Sequence, residues 1–179
     1  MPDALLVAIL AAGASRRLGR PKQLLEVNGE TLVRRQCRTA LEAEIGPVAL
    51  VVGCQQEQVA SAVADLTVQL LVNESWEEGM AASVRTATRA AMAAGAEAML
   101  LYHCDQYGVT VADLTRVHQL WTNTPRTARL SRDGSHLGPP AVLPARLFPA
   151  VMTLEGDTGP RAILSGDTDV REVLMPSAS

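Results

Sequence analysis

Lys22 is the only lysine in the chain, and it closes a segment whose composition suits a phosphate ligand. The segment opens with four small residues, 11–14, which would let backbone N–H groups approach a ligand closely. Successive N–H groups of this kind form a concave anion site. Arg16 and Arg17 add positive charge, and no acidic residue occurs in 4–25. The segment therefore predicts either a phosphate site or an ordinary basic surface loop.

Two aspartates follow later segments and could bind a metal ion. Asp105 comes directly after an apolar run, and Asp157 lies between two glycines ahead of a short helical segment. Magnesium in proteins prefers one or two carboxylates together with phosphate oxygens and water. Taken singly, either aspartate could equally be a helix cap or an Asx turn. The pair becomes informative only if the fold brings both to the first segment.

The elements that must position these residues follow from hydrophobic periodicity. Continuous apolar runs predict buried strands, and 3.6-residue periodicity predicts helices. Strands are predicted at 5–11, 48–52, 68–72 and 98–102, and helices at 31–44, 56–64, 79–94 and 111–122. Past residue 122 the pattern weakens to short strands at 127–130, 141–143 and 170–174 and short helices at 144–152 and 159–164. This alternation predicts an α/β fold with a mostly parallel sheet, whose ligands bind at the carboxyl ends of the strands.

Composition narrows the class of protein. A chain of 179 residues is expected to form one domain over 1–179. A net charge of -3 and few aromatic residues argue against a nucleic-acid partner. The three cysteines lack metal-site spacing, and no apolar run is long enough to span a membrane. We therefore expect a cytoplasmic protein with no membrane partner.

Four segments together resemble the MobA/MocA-like nucleotidyltransferases, and most closely the molybdenum cofactor cytidylyltransferases within that family. The first is 10–25, which resembles the opening signature of the family. The others are 73–85 with Gly79, Met80 and Ser83, then Cys104-Asp105-Gln106, and finally 138–161, which ends in Glu155-Gly156-Asp157-Thr158-Gly159-Pro160-Arg161. The four segments occur in the same order as in the family and together span nearly the whole chain. The resemblance implies a three-layer Rossmann-like sheet of the nucleotide-diphospho-sugar transferase type.

The resemblance also implies a role for each residue of the motifs. A nucleoside triphosphate would contact the first two motifs through Leu10, Ala11, Ala12, Gly13, Ser15, Arg17, Lys22, Asn73, Gly79 and Ser83. Asp105 and Asp157 would hold Mg²⁺, and Lys22, Arg17 and Asp105 would be catalytic. The pair Ala11-Ala12 before Gly13 resembles the cytidylyl branch, which favours CTP over GTP.

The implied reaction is attack of an acceptor phosphate on the α-phosphorus, with release of pyrophosphate. The acceptor would be a molybdopterin-type cofactor, and Arg129, Arg132 and His136 are candidates to contact it. Two alternatives stay open: a sugar- or alditol-phosphate nucleotidyltransferase, and a non-catalytic protein that hands cofactor to a molybdenum hydroxylase. Tyr107, where the family commonly has proline, lies on the acceptor side. His103 is interpreted as a core histidine.

Overall fold

A computed structural model describes residues 4–15 and 19–175 of the chain. Its strands are β1 (Leu5–Ala11), β2 (Glu26–Val27), β3 (Glu30–Thr31), β4 (Val48–Val52), β5 (Gln69–Val72), β6 (Ala98–His103), β7 (Ala128–Asp133), β8 (His136–Pro144) and β9 (Val170–Leu174). Its α-helices are α1 (Leu32–Glu42), α2 (Gln56–Ala62), α3 (Met80–Ala93), α4 (Val111–Asn123), α5 (Phe148–Val151) and α6 (Arg161–Leu164). Single 3-10 turns occupy Lys22–Leu24, Trp76–Glu78 and Ala145–Leu147. Arg17, a predicted triphosphate ligand, lies outside the described residues.

Seven strands form one sheet in the order β5-β4-β1-β6-β8-β7-β9. β1 pairs in parallel with β4 and β6, and β4 pairs in parallel with β5. β8 runs antiparallel to both of its neighbours, β6 and β7, whereas β9 is parallel to β7. Because only β8 is reversed, its first residue, His136, lies at the sheet edge where the other strands end. That edge carries the candidate site.

Helices cover both faces of the sheet, which gives the three layers that the resemblance implies. Alternate residues of β1 face opposite sides, as the two-residue period of a strand requires. Val7 and Ile9 pack with α1, α2 and α4, while Ala8 and Leu10 pack with α3, α5 and α6. β1 is buried along its whole length. The predicted α/β, mostly parallel Rossmann-like fold is therefore confirmed.

β1, β4, β5, β6 and the four long helices fall where periodicity predicts them. The short strands β2 and β3 were not predicted, and the segment around β7 and β8 differs from the prediction. The predicted strands at 127–130 and 141–143 prove to be longer, and they form a hairpin with an irregular register between Leu130 and Ser131. Gly138-Pro139-Pro140 interrupts the apolar pattern of β8, so its full length was missed. The predicted helix at 144–152 is a 3-10 turn followed by α5.

No helix within residues 4–15 and 19–175 is both long and apolar enough to cross a bilayer.

Candidate nucleotide site

The turn after β1 is held in shape by a buried glutamine. The Gln23 Nε2 group donates hydrogen bonds to the carbonyl oxygens of Ala11, at 2.8 Å, and Gly13, at 2.6 Å. Within the part of the chain that the structure describes, the backbone N–H groups of Gly13, Ala14 and Ser15 donate no hydrogen bond. The turn thus fixes its carbonyl groups and leaves N–H groups for an anion. Sequence reasoning missed Gln23, and its position directly after Lys22 is the only signal.

Lys22 connects this turn to the end of β6. Its backbone N–H donates to Ser15 Oγ at 3.0 Å, and Ser15 has a positive φ of 50°. The Lys22 ammonium lies 3.6 Å from Asp105 Oδ2, with the two side chains 49% and 44% exposed. An exposed ion pair of this kind contributes about 0–1 kcal/mol, so an incoming ligand can separate it at little cost.

The loop that carries Asp105 is held by Gln106. The side chain of Gln106 donates to the Pro139 carbonyl at 2.6 Å and accepts from the His103 N–H at 3.0 Å. Its own backbone carbonyl accepts a hydrogen bond from the buried Gln36 side chain of α1. Three elements, α1, β6 and β8, therefore determine where the Asp105 carboxylate lies.

Asp157 reaches the same place from the C-terminal part of the chain. The Ala81 N–H donates to the Gly156 carbonyl at 3.1 Å, and the Met80 N–H donates weakly to Asp157 Oδ1 at 3.4 Å. Gly79 permits this approach, because it has a φ of +127° and a Cβ there would lie 2.5 Å from the Gly156 oxygen. Asp157 thus lies at the N-terminus of α3, as a capping aspartate would, and also faces the cavity described next.

A cavity of about 580 Å³ brings the first motif and both aspartates together. A smaller cavity of about 220 Å³ shares several of its residues and extends toward α3. The predicted residues that line one or both are Leu10, Ala11, Ala12, Gly13, Ser15, Lys22, Gly79, Ser83, Asp105 and Asp157. The larger volume lies in the usual range for small-molecule sites. The fold therefore gathers the predicted residues at one edge of the sheet, with two exceptions: Arg17, which is not described, and Asn73.

Asn73 is buried behind the cavity and makes its contacts within the protein. Its Nδ2 group donates to Ser83 Oγ at 2.9 Å, and its Oδ1 atom accepts from the Ser75 N–H at 3.0 Å. It lines a separate open groove together with Trp76 and Gln55. The amide is therefore placed to orient Ser83.

His103 was interpreted as a core residue, and the structure corrects this. It is the last residue of β6 and lines both cavities of the site. Burial lowers the pKa of its imidazole, and the nearby Asp105 carboxylate opposes that shift. The ring is therefore neutral near pH 7. The sequence suggested a core position because His103 continues the apolar run of β6. That strand, however, ends at the edge of the sheet where the candidate site lies.

Two of the three proposed acceptor residues also have other roles. Arg129 is buried and donates hydrogen bonds to the Leu120 carbonyl and the Thr124 hydroxyl at the end of α4. Arg132 pairs with Glu172 and so links β7 to β9. Both guanidinium groups have partners within the protein, and neither residue lines the cavities of the site.

His136, the third candidate, lines another cavity, called the second cavity below, which shares Asp105 with the cavity of about 580 Å³. This cavity has a volume of about 380 Å³. Its lining residues are Asp105, Gln106, Tyr107, Ser131, Asp133, His136, Gly138 and Pro139. No lysine or arginine is among the lining residues that the structure describes. The cavity instead offers two rings, Tyr107 and His136, beside two carboxylates.

A metal ion would have to take part of its coordination shell from the ligand. The described residues contain no group of three or more His, Cys, Asp or Glu side chains placed to hold a metal. Asp105 and Asp157 nevertheless line one cavity. One or two carboxylates completed by phosphate oxygens and water suit magnesium, so the residues present fit that ion.

An α/β sheet that gathers an N–H-lined turn, a lysine and two carboxylates around one cavity has the arrangement expected of a nucleotidyltransferase. Residues 7–172 match the MobA-like NTP transferase domain. The chain belongs to this family, which confirms the resemblance drawn from its motifs.

Two relatives and three solved structures extend the comparison. The chain is 38% identical over 110 residues to the Probable molybdenum cofactor guanylyltransferase of Opitutus terrae, a match that covers 62% of this chain and 52% of that protein. It is 29% identical over 178 residues to the purine catabolism protein PucB of Bacillus subtilis, covering 95% of this chain and 85% of that protein.

Among solved structures, Rv0371c of Mycobacterium tuberculosis H37Rv has a TM-score of 0.83 and 28% identity, covering 98% of this chain and 89% of that one. A second structure of Rv0371c, in complex with manganese, has a TM-score of 0.79 and 25% identity, covering 96% and 88%. A nucleotidyl transferase of Methanothermobacter, at 22% identity and a TM-score of 0.79 over 96% and 88%, shares the fold.

Proposed function

We propose that this protein transfers a nucleotidyl group from a nucleoside triphosphate, with CTP favoured over GTP, to a molybdopterin-type acceptor and releases pyrophosphate. The observation that carries the proposal is the cavity in which the β1 turn, Lys22, Asp105 and Asp157 meet. This set offers backbone donors and a cation for the triphosphate and carboxylates for a metal. The name of the Opitutus relative supports a molybdenum cofactor as acceptor.

Catalysis at such a site depends on positioning and on neutralising charge. The N–H groups of the β1 turn would hold phosphate oxygens, and Gln23 would keep that turn in place. An oxygen of the acceptor phosphate attacks the α-phosphorus, and the bond from that phosphorus to the bridging oxygen breaks. Pyrophosphate leaves with the bonding electrons, and the Lys22 ammonium stabilises the charge that develops on it.

We propose Mg²⁺ as the metal, held by Asp105 and Asp157. When bound, the ion would neutralise phosphate charge and so promote attack on the α-phosphorus. Rv0371c, a protein of the same fold, has been solved in complex with manganese, which supports a divalent metal ion as a ligand of this fold. Arg17 stays a proposed triphosphate ligand on the resemblance alone.

The second cavity supports the choice of acceptor. It meets the first at Asp105, so an acceptor bound there would lie beside the transferred phosphate. Tyr107 and His136 offer ring faces for a planar heterocycle, and Asp133 can accept hydrogen bonds from its N–H groups.

The direct test incubates the protein with Mg²⁺, each of CTP, GTP, UTP and ATP, and either molybdopterin or a set of sugar and alditol phosphates. Pyrophosphate is measured, and the product is identified by mass. With molybdopterin, we expect pyrophosphate release to be faster with CTP than with GTP, and the CTP product to be a cytidylylated pterin. A nucleotide sugar would favour the sugar-phosphate alternative. Thermal stabilisation by nucleotide without pyrophosphate from any acceptor would overturn transfer and favour the cofactor-handling alternative.

A further inference from the structure

The Ser83 hydroxyl differs from the other hydroxyls on α3. Thr86 Oγ1 donates to the Ala82 carbonyl and Thr88 Oγ1 to the Val84 carbonyl, each at 2.8 Å, as hydroxyls inside helices often do. Ser83 Oγ accepts a hydrogen bond from Asn73 and, over the described part of the chain, donates none. Its proton is therefore left for a group outside the protein.

The Asn73 amide can adopt only one of its two orientations. Its Oδ1 atom accepts from the Ser75 N–H, a donor whose identity is fixed because it belongs to the backbone. The Nδ2 group must then face Ser83, where it donates at 2.9 Å. Asn73 is 3% exposed and Ser83 is 6% exposed, so water competes little for these bonds. The hydroxyl oxygen thus uses one lone pair toward Asn73. Because its proton has no acceptor among the described residues, the hydroxyl is set to donate on its other side.

That other side is the smaller cavity of the site. Ser83 lines it together with Leu10, Ala12, Gly13, Gly79 and Met80, which offer apolar or backbone surface. The cavity of about 220 Å³ adjoins the one where Lys22 and both aspartates lie, so it is placed for the part of a nucleotide beyond the phosphates. Asn73 does not line it.

We propose that Asn73 is a positioning residue that sets base specificity by holding Ser83 as a hydrogen-bond donor toward the nucleobase. This rests on the proposed function, in which the cavity binds a nucleoside triphosphate. A fixed donor favours a base edge that carries lone pairs. Cytosine presents two adjacent acceptors, the O2 and N3 atoms, whereas uracil presents an N–H at position 3. The two bases have nearly the same size, so CTP and UTP form a matched pair.

The chain offers a variant that reverses the polarity of this contact. In Asn73→Asp, one carboxylate oxygen can still accept from the Ser75 N–H, but the other can only accept from Ser83. The Ser83 hydroxyl would then donate to the aspartate and turn its lone pairs toward the cavity. A cavity that accepts a hydrogen bond should prefer the N3–H of uracil.

The experiment measures the dissociation constants of CTP and UTP by calorimetry for the full chain and four variants: Asn73→Asp, Ser83→Ala, the double variant and Thr86→Val. We expect wild type to bind CTP at least about tenfold more tightly than UTP, since a mispaired polar group costs about 1–3 kcal/mol. Ser83→Ala should bring the ratio near one, and Asn73→Asp should bring it to one or below. Thr86→Val, which removes a hydroxyl that faces its own helix, should keep the wild-type ratio.

The double variant separates positioning from direct contact. If Asn73 acts through Ser83, adding Asn73→Asp to Ser83→Ala should leave the CTP-to-UTP ratio unchanged. Equal affinity for CTP and UTP in wild type, or a ratio that survives Ser83→Ala, would overturn the inference while leaving nucleotidyl transfer intact. Ser83→Ala is a small change that keeps this test valid if Asn73→Asp fails to fold. If the wild-type protein binds no nucleotide at all, that result would instead contradict the proposed function.

Discussion

The Lys22 ammonium lies 3.6 Å from the Asp105 carboxylate, across the cavity between the β1 turn and the end of β6. In this arrangement each charge partly neutralises the other. We expect Mg²⁺ and a triphosphate to part the pair, with Lys22 turning to phosphate and Asp105 to the metal. The exchange is cheap because both side chains are about half exposed.

Lys22 should be shielded from modification when a nucleotide binds. Because it is the only lysine in the sequence, reductive methylation reports on this one side chain. We expect Mg-CTP to slow methylation at Lys22 at least about fivefold, as measured by mass spectrometry of the peptide. Cytidine serves as the control: it lacks phosphate and should give no protection. Equal protection by cytidine and CTP would place the phosphates elsewhere.

Replacing Gln23 with leucine should weaken nucleotide binding more than it weakens the fold. The change removes two hydrogen bonds to the β1 turn, each contributing about 1 kcal/mol, and also removes a buried Oε1 atom that has no partner. We expect CTP affinity to fall roughly tenfold, with a small change in Tm. Thr88→Val, which removes a buried hydrogen bond inside α3, is the matched control and should leave affinity unchanged. Unchanged affinity in Gln23→Leu would mean that the turn holds its shape without this side chain.

Gly79→Ala should destabilise the protein strongly. Its φ of +127° strains any L side chain, and the added Cβ would lie 2.5 Å from the Gly156 carbonyl oxygen. We expect a loss of about 3 kcal/mol or more in the free energy of unfolding, measured by urea denaturation. Gly134→Ala is the control, since it has a φ of +54° but open space around it, and should cost only about 1 kcal/mol. Similar losses at the two positions would show that backbone strain alone accounts for Gly79.

Asp167 should contribute pH-dependent stability. Its hydrogen bond with Arg146 Nη2, 2.6 Å long, lowers its pKa below the usual 3.8. A carboxylate whose pKa is lower in the folded state stabilises the fold above the unfolded-state pKa, and this contribution is lost as pH falls through the folded-state pKa. We therefore expect the stability difference between wild type and Asp167→Asn to be constant above about pH 5 and to shrink below about pH 4.

The Arg146→Met background is the control for this titration. Without Arg146, Asp167 should lose the largest cause of its lowered pKa and keep only the hydrogen bond from the Asp169 N–H. Asp167→Asn should then cost less and vary less with pH than in wild type. A difference between wild type and Asp167→Asn that grows as pH falls would contradict the assigned direction.

Local patterns predicted most of the fold because its central strands are buried on both faces. β1 and β4 begin and end where their apolar runs do. β8 was largely missed because its Pro139 and Pro140 break the strand pattern, and because one of its two sheet neighbours, β6, comes from a more distant part of the chain. Which strands become neighbours depends on long-range packing, and no local pattern contains that information.

The candidate site, like the fold, was predicted from the sequence only in part. The β1 turn and Asp105 were found because each directly follows a strand, where ligands meet an α/β sheet. Gln23, His103 and the role of Asn73 were missed because their meaning depends on contacts with residues brought near by the fold. Charge alone made Arg129 and Arg132 candidates, but their partners within the protein could not be read from the sequence.

The most direct measurement of the central claim is pyrophosphate release from CTP, with Mg²⁺ and molybdopterin, by wild type and Asp105→Asn. Removing one preorganised charge of this kind typically costs about 10² to 10³ in rate. We expect that loss in Asp105→Asn with an unchanged Tm. Glu97→Gln should show no loss, because Glu97 is exposed and lies outside the two cavities that Asp105 lines. Turnover by Asp105→Asn within about threefold of wild type would contradict transfer at this site.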